Sequence, residues 1–300
     1  MSEVLNFKTI KEYNDWVGVK TYHPLVSVID FSEARVMKHF RMLPGFYTVF
    51  LKEVKCGDLI YGRQTYDYQE GTVVAIAPDQ VYGRDDNGEE FQPKGYALLF
   101  HPDLVSGTPL GKRMHEYNFF SYEVNEALHL SEQERKVFLD CLMNIQNEIK
   151  GATDRLSKRL IATNVELLLD YCLRFYERQF VTRETVNKGI LSQFENVLNE
   201  YFINHESVQN GLPSVKYCAQ KVCLSPNYFG DLVKKETGKT AQEFIQSKII
   251  NISKDMVLDP SKSISQVAYE LGFQYPQHFS RMFKKMVGVT PVEWREQQVG

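Results

Sequence analysis

Ile264-Ser-Gln-Val-Ala-Tyr-Glu-Leu-Gly-Phe-Gln-Tyr-Pro-Gln-His-Phe-Ser-Arg-Met-Phe-Lys-Lys-Met-Val-Gly-Val-Thr-Pro-Val-Glu-Trp-Arg295 holds two short helical patterns around a tight turn. In the first pattern Val267, Ala268 and Leu271 share one face. Gly272 follows, where a turn needs positive φ or close backbone approach. In the second, Phe279, Met282, Phe283 and Val287 form an apolar stripe, while Gln277, His278, Ser280, Arg281, Lys284 and Lys285 project elsewhere. Gly288 stops that helix, and Thr290-Pro291 opens another, with Thr as N-cap and Pro at the first helical position. A supporting helix, a turn and a second helix with a polar, basic outer face form the layout of a helix-turn-helix DNA reader.

The pattern occurs a second time upstream. Ala219, Val222 and Leu224 match Ala268, Leu271 and Phe273 at an offset of 49. Pro226, Phe229, Lys234, Lys235, Gly238, Thr240 and Phe244 match Pro276, Phe279, Lys284, Lys285, Gly288, Thr290 and Trp294 at an offset of 50. One residue is inserted in the second turn, and core, turn, basic pair, glycine stop and cap otherwise keep register. Two such units suit two successive major-groove segments, about 34 Å apart on B-form DNA. A continuous helix expected from about Thr240 to Leu258 would set their spacing.

Ala268, Leu271-Gly272-Phe273, Phe279, Arg281, Phe283-Lys284-Lys285, Gly288, Thr290-Pro291 and Trp294-Arg295 form a dense signature. Through it the region from about Lys188 to Arg295 resembles the DNA-binding domain of the AraC/XylS family of bacterial transcription regulators. The resemblance implies a seven-helix domain with two helix-turn-helix units. It also implies a cupin-like sensor or dimerisation domain ahead of them, and contact with RNA polymerase. The expected fold is therefore α+β: a cupin-like β-barrel with trailing helices over residues 1–180, then an all-α DNA-binding domain over residues 181–300.

In relatives, base contacts come from early positions of each second helix, and later basic residues touch phosphate. Carried onto this chain, the second unit offers Pro276, Gln277, His278, Ser280 and Arg281, then Lys284 and Lys285. Glutamine can bind adenine N6/N7 and arginine guanine O6/N7, both bidentate. The bland alternative for Arg281 is a solvated helix face. The first unit offers Pro226, Asn227, Tyr228 and Asp231, then Lys234 and Lys235. Where relatives place longer side chains it has Gly230 and Asp231. Glycine has nothing to read with, and aspartate repels phosphate, although it can accept from cytosine N4. More base specificity is expected from the second unit.

Composition agrees with a double-stranded DNA partner only after the charge is divided. The 300 residues carry a net charge of −3. From Pro213 to Gly300 there are 12 Lys+Arg against 8 Asp+Glu, and the remainder holds 23 against 30. The positive end is the proposed reading end, and its field is weak, so placement of individual cations must matter. Five dispersed cysteines, Cys56, Cys141, Cys172, Cys218 and Cys223, without a Cys-x-x-Cys, read as free thiols in a reducing cytoplasm. Met1 to Lys11 has no signal-peptide core, and no apolar run reaches the roughly 20 residues a membrane span needs.

From about Thr21 to Phe100 the pattern is β-rich. Strands are expected at Val26–Phe31, Tyr47–Lys52, Asp58–Tyr61, Val73–Ala77 and Tyr96–Phe100, punctuated by Gly45, Gly57, Gly71 and Pro78. A metal-binding cupin needs converging histidine and carboxylate ligands. Val73 to Tyr82 has no histidine, Gln80 stands where one would be expected, and His39 and His101 are isolated. No metal, cofactor or catalytic group is expected, and His101 reads as the anchor of a strand-exit turn. Tyr22, Tyr47, Phe50, Tyr61, Tyr66, Tyr68 and Tyr82 either fill the barrel or line a pocket for a small effector, and filling is the preferred reading.

Ser131-Glu132-Gln133-Glu134 is a capping box opening a helix to about Ile149, and Gly151 breaks it. A second helix is expected from about Asp154 to Arg178, the pair covering the sheet or joining two subunits as a homodimer. The charged stretch from Arg178 to Lys188 reads as a linker, and a further helix is expected from about Gly189 to Asn204. Two other functions stay open. A cupin-type enzyme would need the metal ligands that are missing. A non-DNA-binding adaptor is favoured by Asp231 and the low net charge.

Overall fold

The structure is a computed structural model that describes residues 4–38, 40–53, 59–61, 64–66, 71–84, 90–122, 126–152, 154–182 and 184–299. It divides into two compact units, Met1–Thr182 and Arg183–Gly300.

The first unit opens with β1 (Val4–Phe7), α1 (Ile10–Val17), β2 (Val26–Asp30), β3 (Phe40–Pro44) and β4 (Tyr47–Lys52). There follow β5 (Leu59–Tyr61), β6 (Gln64–Tyr66), β7 (Thr72–Ile76), β8 (Tyr82–Arg84) and β9 (Gly95–Phe100). Two short helices, α2 (Pro102–Val105) and α3 (Pro109–Arg113), lead to β10 (Leu128–His129) and the long α4 (Glu132–Lys150) and α5 (Ser157–Thr182). One sheet has the order β1-β3-β8-β5-β6, the other β10-β7-β4-β9-β2. Alternate residues of both, among them Met42, Tyr82, Phe50, Val74, Ile76, Ala97 and Leu99, meet in one core. The opposite face of the second sheet is covered as well, so β4 and β7 are apolar almost throughout rather than alternating.

A closed barrel is not seen among the described residues. The described strands make two open five-stranded sheets, and no pairing joins the edges β1 and β6 of one to β10 and β2 of the other. Gln80 is a bracket: its Oε1 accepts from the Ala77 amide at 2.8 Å, and its Nε2 donates to the Phe120 carbonyl at 3.1 Å. His101 anchors the strand exit as expected, its Nδ1 accepting from the Asp103 amide. The linker expected from Arg178 to Lys188 is instead helical on both sides of Arg183. Arg178 and Gln179 look like linker residues in the sequence, but they bind the His129 carbonyl and the His129 amide respectively and prolong α5. Asp58, Gly57, Cys56, His39 and Tyr68 lie outside the described residues, as do the side chains of Tyr61 and Tyr66.

Of the remaining aromatics, Tyr47 stacks on Phe100 with ring centroids 4.9 Å apart, and Tyr22 is exposed under the amines of Lys20 and Lys150. Phe50 and Tyr82 border a cavity of ≈ 60 Å³ with Tyr13, Phe31, Phe40 and Lys52. Burial pushes the Tyr82 phenol far above its usual range. Among the described residues its hydroxyl completes no hydrogen bond of ordinary geometry, and the Tyr13 hydroxyl lies close enough to act on it.

The second unit contains α6 (Glu184–Ile203), α7 (Glu206–Asn210), α8 (Val215–Lys221), α9 (Pro226–Thr237), α10 (Ala241–Leu258), α11 (Ile264–Glu270), α12 (Pro276–Val287) and α13 (Pro291–Val299). The expected continuous helix is α10, opened by a Thr240–Glu243 capping box. Phe194, Ala219, Phe229, Ile245, Ile249, Ala268, Leu271, Phe279 and Phe283 form its core. Burial pushes the Cys218 thiol in this core up to about 12, which makes it unreactive at neutral pH.

The two repeats close their turns alike. Leu224 N–H donates to the Ala219 carbonyl at 3.0 Å, and Phe273 N–H to the Ala268 carbonyl at 2.9 Å. Cys223 and Gly272 occupy the same left-handed position, with φ of 58° and 93°. Only the second is also crowded. A Cβ on Gly272 would lie 2.7 Å from the Gly211 carbonyl carbon and 2.8 Å from the Ser207 carbonyl oxygen. Around this contact the Ser207 hydroxyl donates to the Glu270 carbonyl at 2.6 Å, and the Tyr201 hydroxyl to the Gly211 carbonyl at 2.9 Å. The segment before the first repeat is thereby locked onto the turn of the second.

Gly272→Ala is expected to destabilise the protein by about 2–4 kcal/mol, combining left-handed strain and overlap. Cys223→Gly should shift stability by less than about 1 kcal/mol, since relief of strain offsets the greater unfolded-state freedom of glycine. Equal costs in chemical denaturation would refute the crowding argument. In the first unit, burial pushes the Glu134 carboxyl up, but the Arg178 guanidinium and the Ser131 amide outweigh it and hold it below its usual value. A depressed carboxylate stabilises fully above its unfolded pKa and loses that contribution as pH falls through the folded pKa. Arg178→Ala should therefore cost about 1 kcal/mol at neutral pH, allowing for partial exposure. The gap to wild type should narrow below the ordinary carboxylate range in denaturation followed against pH, leaving the part due to the His129 carbonyl.

Candidate nucleic-acid interface

Helix α12 presents two unlike faces. Phe279 and Phe283 are fully buried, while Gln277, His278, Arg281, Lys284 and Lys285 are exposed. Gln277, Arg281, Lys284 and Lys285 stand at intervals of four, three and one, which places them along one side of the helix. Ser280 and Pro276 are half-buried at its flank. Gly288, with φ of 94°, ends the helix by donating to the Lys284 carbonyl. Lys284 lies near the Glu293 carboxylate and Lys285 near that of Glu243. Both acids are engaged by their own capping threonines, whose amides and hydroxyls hold them below the usual carboxylate value. The lysines are therefore close to acids that are already bonded, and their ammonium groups remain directed to solvent.

The inserted residue changes how the second helix begins. In α9, Ser225 is the N-cap, its hydroxyl accepting from the Tyr228 amide at 3.2 Å. In α12 the N-cap is Tyr275, which supplies no side-chain acceptor. Its exposed ring instead meets His278 edge-on at 5.5 Å. Pro276 has no N–H and the His278 amide donates to the Tyr275 carbonyl at 3.0 Å, so it is the Gln277 amide that keeps its positive potential for an outside acceptor. Tyr275 was not among the residues expected at the interface. The one-residue insertion that replaces the serine cap was its only signal.

Helix α9 repeats the arrangement with a poorer outer face. Pro226, Asn227, Lys234 and Lys235 are exposed, and Asp231 is half-buried. Tyr228, expected as a contact, is only 4 % exposed and offers no reading surface as it stands. A Cβ on Gly230 would meet nothing within 4 Å, so the gap there is open. Asn227, Asp231, Lys234 and Lys235 follow the same side of α9 as Gln277, Arg281, Lys284 and Lys285 do on α12. The 18-residue α10 separates the two arrangements and is about 27 Å long. Arg295 belongs to the structure rather than to this surface. Its guanidinium donates to the carbonyls of Val257 and Lys262 at 2.5 and 2.8 Å and ties α13 to the end of α10.

Comparison with known proteins places these elements. The family described as "Helix-turn-helix domain" matches residues 218–297, from α8 into α13. The "Uncharacterized transcriptional regulatory protein YesN" of Bacillus subtilis is 36% identical over 90 residues, covering 29% of this chain and 24% of that protein. The "Uncharacterized HTH-type transcriptional regulator YtdP" of the same organism is 28% identical over 116 residues, 38% of this chain. The chain thus spans only 24% and 15% of these two relatives. The "Arabinose operon regulatory protein" of Salmonella typhimurium is 32% identical over 236 residues, covering 75% of this chain and 74% of that protein. A likeness of that extent reaches well beyond the helix-turn-helix region, and the chain belongs to the AraC family of transcription regulators.

Proposed function

We propose that this protein is a sequence-specific transcription regulator that reads two adjacent major-groove segments of double-stranded DNA, through α9 and α12. The observation that carries the reading is α12: its apolar face is core, and its other face offers Gln277, Arg281, Lys284 and Lys285 to solvent. In this reading the side chains of Gln277 and Arg281 contact base edges, while Lys284, Lys285 and the Gln277 amide hold phosphates. Helix α9 supplies Asn227 and phosphate contacts from Lys234 and Lys235, and α12 carries more of the specificity. Residues 1–182 act as sensor and dimerisation unit, and contact with RNA polymerase completes the mechanism. Leu160 and Leu167 are 44% and 43% exposed on α5, and Leu156, just before it, is 44% exposed, which suits a homodimer contact.

The cavity beside Tyr82 gives the sensor reading a location. Its walls are aromatic, with one unsatisfied hydroxyl inside and Lys52 at its edge. That combination fits a small, largely apolar effector carrying one acceptor group.

The test of DNA reading is binding of the full chain to sites selected from a random duplex pool, across a salt series. Affinity should fall steeply with salt. Arg281→Ala should lose about 5- to 150-fold of discrimination at one base pair, corresponding to about 1–3 kcal/mol. Replacing Lys284 or Lys285 with alanine should weaken all sites alike and reduce the salt slope by about 1 each. No selectivity at any salt concentration would favour the adaptor reading. A greater loss of discrimination from Asn227→Ala than from Gln277→Ala with Arg281→Ala would reverse the ranking of the two helices. For the cavity, Tyr82→Phe should be neutral or stabilising by up to about 1–2 kcal/mol without ligand, because it removes an unpaired buried hydroxyl. Marked destabilisation would mean that the hydroxyl is satisfied.

A further inference from the structure

The first turns of α5 carry an unusual concentration of positive charge. Lys158 and Arg159 are exposed in its first turn, and Arg155 is exposed two residues before its start. No ion pair engages any of the three among the described residues, and Lys158 only donates its ammonium to the Asp103 carbonyl at 3.3 Å. The first turn of α5 contains no acid, whereas α4, α10 and α13 each open with one or more glutamates. A helix N-terminus is already the positive end of the helix dipole, so two cations in the first turn and a third just before it oppose it. Asp154, just before the helix, is the one compensating group, and one of its oxygens is spent on the Leu156 and Ser157 amides.

These cations line a cleft of ≈ 420 Å³, together with Thr163 and the 106–109 loop. Gly107, at φ of 76°, turns that loop across the opposite wall. The only carboxylate lining the cleft is Glu166, and Arg113 occupies it at 2.8 Å. The arrangement is a cavity with guanidinium groups outside any ion pair, an ammonium bonded only to a neutral carbonyl, hydroxyls and, among the described lining residues, no carboxylate other than that of Glu166.

We propose that this cleft binds a small phosphate-bearing anion, with Arg155 and Arg159 as its guanidinium clamps and Lys158 as a point charge. Guanidinium forks match phosphate oxygens two at a time. The size lies within the range of small-molecule sites. A long polyanion such as DNA is disfavoured, because residues 1–182 hold 21 Lys+Arg against 26 Asp+Glu and would repel it beyond the cleft. The site is independent of the DNA-reading face, and a bound anion would give the first unit a second input besides the apolar cavity.

The experiment uses the full chain with inorganic pyrophosphate, followed by calorimetry and thermal unfolding. Saturation to roughly ten times Kd should raise Tm by about 3–6 °C. The rise should persist in Lys284→Gln with Lys285→Gln, which weakens the DNA face, and vanish in Arg155→Gln with Arg159→Gln. Citrate in a parallel arm separates phosphate from carboxylate recognition, and binding weaker than that of pyrophosphate is expected. Arg159→Glu should raise Tm of the anion-free protein, since it replaces an opposing charge with a favourable one, and should abolish the pyrophosphate shift. That variant keeps the test decisive if the double glutamine variant does not fold. Absence of pyrophosphate binding to wild type, or an equal shift in the Arg155 and Arg159 variants, would overturn the proposal, as would tighter binding of citrate.

Discussion

The helical unit depends on a backbone contact that tolerates no side chain. Gly272 lies against Gly211 and the Ser207 carbonyl so closely that even a Cβ would collide with backbone on both sides. Because both partners are main chain, rotamer changes cannot relieve the overlap, as they could if a flexible side chain stood there. The hydroxyls of Ser207 and Tyr201 hold the same spot from two further directions. A turn fixed in this way fixes the helix that leaves it, and α12 is the helix with the polar, cationic outer face. The first repeat lacks the lock. Its turn has the same hydrogen bonds, but Cys223 sits at the left-handed position and is exposed.

Electrostatics points the same way at closer range. A chain of net charge −3 has no strong field with which to collect DNA. What it has is placement: cations along one side of α12, nearby acids bonded into caps, and a helix start from which the side-chain acceptor has been removed. The Ser225 hydroxyl caps the Tyr228 amide of α9, whereas the matching His278 amide of α12 falls back on the Tyr275 carbonyl, with no side-chain cap. The two helices are therefore unequal for a reason that net charge would not reveal.

Much of this was legible in residue spacing, where spacing is what decides. The apolar stripe through Phe279 and Phe283, the glycine stops and the Thr240 and Ser131 caps report local geometry, and local geometry is what a sequence encodes within one or two turns. Ties between distant residues leave no such trace. Nothing near Ser207 announces that it meets Glu270, and nothing in Tyr228 announces that its ring is covered. The stretch around Arg178 reads as a linker because it is charged, but its charges are used on β10 and α4. Sheet closure is illegible for the same reason. Strand pattern identified β4, β7 and β9, whereas closure depends on which edges pair. The start of α1 is legible in the same way, for Thr9 and Glu12 form a full capping box.

The central claim is that α9 and α12 engage DNA together, held at a set spacing by α10 and by the contact at Gly272. Hydroxyl-radical footprinting of the full chain on a selected duplex tests it most directly. The account predicts two protected stretches on one face of the duplex, about one helical turn apart. A single protected stretch would show that one arrangement alone reaches the groove, and would contradict it.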